Sequence, residues 1–147
     1  MHELSLQPLG MTQFRDTLKD VYASAVDDGI PVLVAPAHTN GVGMLVDADL
    51  LLATTAGLRF HPEVMREDES ISIWLPELDL YGIGATAAEA ESDLLDELVQ
   101  YLTEYFAMDY RSAPNRQGHL LYVIRVLAAN ALGRLREVVF ETAPAAA

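Results

Sequence analysis

The sequence predicts an α+β protein: a helix–hairpin–helix module abutting a three-stranded antiparallel sheet with one long helix, and then a C-terminal helical tail. Three observations predict it. Apolar residues recur at helical spacing near residues 14–25, 90–106 and 120–140. Between them lie short β-branched and aromatic runs punctuated by Gly, Pro and Asn. The charge is also segregated. Residues 63–107 hold twelve acids against Arg66 alone, whereas residues 1–62 carry a net −4 and residues 108–147 a net +2. Such shifts mark module boundaries, and the chain divides on this reading into residues 1–57, 58–109 and 110–147.

The first helix begins near Met11, with Thr12 as its N-cap and Phe14, Leu18, Val21, Tyr22 and Ala25 on one face. Gly29 stops it and Pro31 follows. Residues 31–35 form a strand, and His38-Thr39-Asn40-Gly41 is turn chemistry. Residues 42–46 return as its partner, and Asp47 caps a helix through Leu50, Leu51 and Leu52.

The second module opens with a strand over 58–64, interrupted or at an edge because of Pro62. A charged turn at 67–70, a strand at 71–75 ended by Pro76, and a further strand after Leu78 complete the sheet. Thr86 and Glu89 form a capping box. The helix it opens carries Ala90, Leu94, Leu95, Leu98, Val99, Leu102, Tyr105 and Phe106 on one stripe, with most of its acids off it. Residues 110–118 read as a linker. One or two helices follow around Gly133, and Ala143–Ala147 with Pro144 lack any core pattern.

Composition bounds the function. At 147 residues the chain is one ordinary domain or two very small ones. A net charge of −13 argues against gripping nucleic acid by bulk electrostatics and favours a basic partner or simple solubility. With no Cys, disulfides, thiolate zinc sites and cysteine catalysis are excluded. No targeting segment and no run of the ~20 apolar residues that span a bilayer is visible, so a cytoplasmic protein without membrane attachment is expected.

Residues 9–52 resemble the N-terminal domain of the prevent-host-death (Phd/YefM) antitoxins. The likeness rests on Thr12, Arg15 and Leu18, on Gly29-Ile30-Pro31-Val32, and on Leu45-Val46-Asp47. Residues 58–106 resemble the HicB antitoxin domain through Pro76-Glu77-Leu78, Gly82 or Gly84, and Thr86-Ala87-Ala88-Glu89-Ala90. The whole is similar to two-part RelB- or Phd-like antitoxins. The resemblance implies a bacterial cytoplasmic antitoxin that dimerises through its N-terminal domain, binds a cognate ribonuclease-type toxin and often its own operator DNA. DNA-binding members carry basic residues around the hairpin, but Ala35–Gly41 holds neither Lys nor Arg here.

Each candidate residue has two readings. Thr12, Arg15 and Lys19 share a helix that could contact phosphate, or the cations could pair with Asp16 and Asp20. Glu91, Asp93, Asp96 and Glu97 could face a basic toxin or form a solvated face. Leu120, Tyr122 and Ile124 belong to a tail that either folds back or lies in a partner's groove. Trp74, Tyr81, Tyr105 and Phe106 could line a ligand pocket but are expected in the core, any exposed member being an interface candidate. His2, His38, His61 and His119 have no metal spacing, and Glu77 with Asp79 lacks a partnering base or nucleophile. No cofactor, metal or catalysis is expected. The reading is a homodimeric antitoxin that neutralises a basic toxin by surface occlusion. The alternative is a non-enzymatic small-molecule-binding or regulatory module with no toxin.

Overall fold

A computed structural model describes residues 3–37 and 40–141. His2, the His38-Thr39 turn and the Ala143–Ala147 tail therefore lie outside the described residues. The chain forms two compact units, residues 1–53 and 54–147.

In the first unit, helices α1 (Met11–Asp16) and α2 (Leu18–Tyr22) run into a π-helical turn, Ala23–Asp27. The cap at the start is Gly10 and not Thr12, which lies inside the first turn. The cause is remote in sequence. Leu9 bridges Val34, its N–H donating to the Leu33 carbonyl at 2.8 Å and its own carbonyl accepting from Ala35 N at 2.8 Å. The backbone is thereby held extended to Gly10, whose carbonyl accepts the first helical bond from Phe14 N at 2.9 Å. The expected single helix is broken at Thr17, whose hydroxyl donates back to the Gln13 carbonyl at 2.6 Å. Such back-bonding bends helices. Only Val21, Ser24 and Ala25 of this stretch are buried, while Leu18 and Tyr22 are exposed. Gly29 ends it at φ +68, a conformation that glycine tolerates. Strands β1 (Val32–Val34) and β2 (Gly43–Leu45) pair antiparallel, Val32 opposite Leu45. Asp47 Oδ1 accepts from Asp49 N at 3.3 Å at the head of α3 (Ala48–Thr54).

The second unit holds an antiparallel sheet of β3 (Glu63–Glu67), β4 (Ser70–Leu75) and β5 (Leu80–Gly84), with β4 central. The first strand starts later than the expected residues 58–64. Pro62 has no N–H to give the ladder and stands just outside it. Phe60, ahead of the strand, is buried with its ring 5.3 Å from that of Tyr122. Helix α4 (Ala87–Ala107) covers one face of the sheet. Thr86 Oγ1 accepts from Glu89 N at 3.2 Å, but Glu89 Oε2 reaches past the cap residue to Ala85 N at 2.8 Å.

Gly82 and Gly84 let helix and strand meet. A Cβ on Gly82 would sit 2.3 Å from the Ala90 carbonyl oxygen and 2.5 Å from Leu94 N. Ile73 and Leu75 meet Ala90, Leu94 and Leu98 in the core beneath, each large side chain contributing about 1.5–3 kcal/mol. Residues 110–118 are not a loose linker. Two 3₁₀ turns, Tyr110–Ser112 and Gln117–His119, pack their rings against Tyr101 and Tyr105. Helices α5 (Leu120–Ala131) and α6 (Leu135–Val139) follow, separated by Gly133 at φ +69. The tail is folded back: α5 packs on α4 and buries Val123, Val126 and Ala129.

Candidate functional site

Thr12, Arg15 and Lys19 are exposed on the first unit. Arg15 Nε is 3.5 Å from Asp16 Oδ1, with both side chains largely in water, a geometry of little energetic weight. Arg15 and Lys19 are the only bases of this unit, and Asp16 and Asp20 stand beside them, so the field that would attract phosphate is largely cancelled. More conspicuous are its exposed apolar side chains: Leu4, Leu6, Met11, Leu18, Tyr22, Val42 and Met44. Beside them a groove of about 250 Å³ lies between Leu9, Val21, Pro31 and Leu33.

The four candidate acids of α4, Glu91, Asp93, Asp96 and Glu97, separate into two pairs. Glu91 is ion-paired with Arg136 of α6. Asp93 Oδ2 accepts from the Ile83 backbone N–H at 2.8 Å and so closes the outer edge of β5. Asp96 and Glu97 stay exposed. Of the tail candidates, Leu120 is exposed while Tyr122 and Ile124 are half-buried, Tyr122 against Phe60.

The sheet has a second face that α4 does not cover. Cross-strand partners share a face, so the register places Glu63, Met65 and Glu67 with Ser70, Ser72 and Trp74, and Trp74 with Tyr81. Ile83 joins them opposite Ser72. Trp74 and Tyr81 stack at 6.2 Å with planes 16° apart, and Asp79 Oδ1 accepts from the indole Nε1–H at 3.0 Å. Met65 is 42% exposed, Tyr81 47% and Ile83 59%. The core expectation for the aromatics thus holds for Tyr105 alone. Trp74 is half-buried, and Tyr81 and Phe106 are exposed. Strand alternation puts Trp74 and Tyr81 on the uncovered side, while Phe106 stands at the C-terminal end of α4, its ring centre 5.6 Å from the Arg111 guanidinium carbon.

Among the described residues, the polar clusters are hydrogen-bonded pairs. Tyr101 Oη and His119 Nδ1 are hydrogen-bonded at 2.6 Å beside a cavity of about 370 Å³. Burial raises the Tyr101 pKa, and burial together with the Arg116 charge lowers that of His119. Both shifts favour the neutral forms of the two hydrogen-bonded groups. The Arg116 guanidinium carbon lies 3.9 Å from the centre of the Tyr110 ring, a cation–π contact. Glu77 and Asp79 do not converge: Glu77 Oε1 is 2.6 Å from His61 Nδ1, and Asp79 holds the indole. Among the described residues, no group of three His, Asp or Glu side chains could hold a metal ion. None of their helices is long and apolar enough to cross a membrane.

Sequence reasoning missed two residues. Tyr101 is buried on the stripe of Leu94, Leu98 and Tyr105, and its seven-residue offset from Leu94 was the available signal. Arg125 is buried in α5, with Nη1 3.4 Å from Thr55 Oγ1 and Nη2 3.9 Å from Glu141. Burial lowers its pKa while Glu141 opposes that shift. A lone charge in the run LLYVIRVLAA was the signal there.

A family model described as the antitoxin of toxin–antitoxin, RelE/RelB, TA systems matches residues 5–141. No curated protein matches the chain. A crystal structure named as an antitoxin, from Syntrophomonas wolfei subsp. wolfei, is similar in fold, with a TM-score of 0.68 at 22% identity. The likeness covers 90% of this chain and 96% of that one.

Proposed function

Because the chain belongs to the PHD-like family of antitoxins of RelE/RelB toxin–antitoxin systems, we propose that it neutralises a basic, ribonuclease-type toxin by covering its surface. Its role is binding, not catalysis, as befits an antitoxin family. The observation that carries the reading is the charge segregation: twelve acids against one base in residues 63–107. A positive cleft on the toxin would be attracted over a long range by such a surface and then buried by it.

The test needs a candidate toxin, a small basic protein from a neighbouring reading frame. Co-expression with that toxin should restore growth, and the association rate of the purified pair should fall steeply with added salt. An association rate indifferent to salt would refute the electrostatic mechanism.

The first unit, residues 1–57 on the sequence reading, is proposed as a Phd/YefM-like homodimerisation module. Its thin core and its row of exposed apolar side chains support this. Residues 58–109 are proposed as a HicB-like module, supported by the three strands, the Pro76-Glu77-Leu78 turn and the capped helix. Residues 110–147 follow as a helical region. Operator binding through Thr12, Arg15 and Lys19 draws little support from two cations offset by Asp16 and Asp20. Cytoplasmic action fits the reading, since the toxins it opposes attack RNA.

A further inference from the structure

We infer that the uncovered face of the three-stranded sheet, together with the open edge of β3, is the docking surface for the basic toxin. The inference rests on the neutralisation reading above and adds where the contact is made. At the centre of this face Met65, Trp74, Tyr81 and Ile83 form an apolar patch, two of its members stacked and all outside the cover of α4. Aromatic anchors of this kind carry most of the energy of protein interfaces. Glu63 and Glu67 project from the same face along β3, and Asp79 stands at the opposite corner beneath the indole. No Lys or Arg occupies an outward position. Arg66 pairs with Ile71 and so belongs to the helix side. An apolar centre ringed by carboxylates is complementary to an apolar patch ringed by Lys and Arg.

The two sheet edges differ in a way that supports the same occupant. On β5, the Ile83 N–H is already taken by Asp93. On β3, every residue from Glu63 to Glu67 is exposed, and among the described residues no strand pairs with its outer side. Charges on such an edge discourage indiscriminate pairing and select the partner. Full-length antiparallel pairing of β3 with a second copy would centre on Met65 and set Glu63 against Glu67 of that copy, a like-charge pair. A toxin strand with Lys or Arg at those positions would be accepted instead.

The test uses the full chain and, as the toxin, the purified small basic protein of a neighbouring reading frame that it rescues in co-expression. Tyr81→Lys/Ile83→Lys should weaken toxin binding by a hundredfold or more, mainly through faster dissociation. Asp96→Lys/Glu97→Lys, on the far side of α4, should slow association less than tenfold and leave dissociation unchanged. Amide exchange of the unaltered chain is an independent measure. Residues 63–67 should be protected tenfold or more when toxin is added, and this does not depend on any variant folding. Toxin binding within twofold of the unaltered chain by a folded Tyr81→Lys/Ile83→Lys variant would overturn the inference. So would unchanged exchange in β3, or loss of self-association with toxin binding intact, which would make the face a contact between copies. Failure of the unaltered chain to bind the toxin would instead strike the neutralisation reading itself.

Discussion

The two units of this chain solve the burial problem differently. Among the described residues, the first encloses three apolar side chains, Val21, Ala25 and Leu52, and leaves seven large ones ahead of α3 in water. The second encloses seventeen, including Leu94, Leu98, Tyr105, Val123 and Val126. Their helices follow suit. In the first unit the helix starts at Gly10, a cap with no side-chain bond, breaks at Thr17 and widens into a π turn. In the second, α4 is capped at Thr86 and runs for 21 residues unbroken. Isolated units near ~50 residues are marginal for want of core. The second unit has the larger core, and the proposed pairing of the first unit would add to its smaller one.

The contrast breaks most readily at Gly82. A side chain there collides with the backbone of Ala90 and Leu94, which cannot rotate away. Gly82→Val should therefore cost the second unit about 3 kcal/mol, at the upper end for overpacking. Trp74, the only tryptophan, reports that unit alone. Its fluorescence melt should move down while the helical signal of the first unit is retained. A melt unchanged by Gly82→Val would mean that the strand and helix do not meet as closely as described.

Next in size is the effect of concentration. If the first unit completes its core by pairing, hundredfold dilution through the dimer range should cost it about 2.7 kcal/mol by mass action. The second unit should be indifferent. Paired transitions by circular dichroism and by Trp74 fluorescence at two concentrations would separate them. Coincident, concentration-independent melts would remove the distinction between the units.

The two threonines that the sequence offers as caps sharpen the comparison further. Thr86→Ala removes an acceptor from Glu89 N and should cost about 1 kcal/mol. Thr12→Ala removes nothing of the kind, since Thr12 lies inside the first turn, and should fall near zero. Here the limits of the sequence become physical. The capping box at Thr86 and the stripe of Leu94, Leu98 and Leu102 are local, so α4 could be read from neighbours in the chain. The start of the first helix depends on Leu9 bridging Val34, about 25 residues away, and no local pattern carries that. Asp93 was legible as an acid off the apolar stripe, but its bond to Ile83 N exists only once strand and helix have met. Trp74 and Tyr81 show the reverse case. Their aromatic character suggested a core, and only the register reveals that they share the face opposite the helix.

A smaller effect should separate the units by pH. Burial and the nearby Arg116 lower the His119 pKa, so the folded second unit prefers neutral imidazole. The unfolded chain takes up its proton first as pH falls through the ordinary histidine value of about 6.5. The stability contributed by neutral His119 is thus present above that value and lost below it. His119→Asn, which cannot titrate, should flatten the slope of stability against pH below about 6.5 in the Trp74 melt. The first unit, whose described residues include no histidine, should show no such slope difference. An unchanged slope would place the titration elsewhere.

The smallest effect concerns the break at Thr17, and two causes compete for it. One is local. The hydroxyl bonds back to the Gln13 carbonyl, and a β-branched residue is a poor helix former, so Thr17→Ala should straighten the helix and gain a few tenths of a kcal/mol. The other is tertiary. Gly10 is fixed by the Leu9 bridge and Val21 must face inward, so the chain between them has to change direction whatever stands at position 17. Helicity that rises in Thr17→Ala without loss of self-association would favour the local cause. If helicity stays level and self-association weakens, the bend is part of how the first unit presents Leu18 and Tyr22. Its irregularity would then belong to the same design as its missing core.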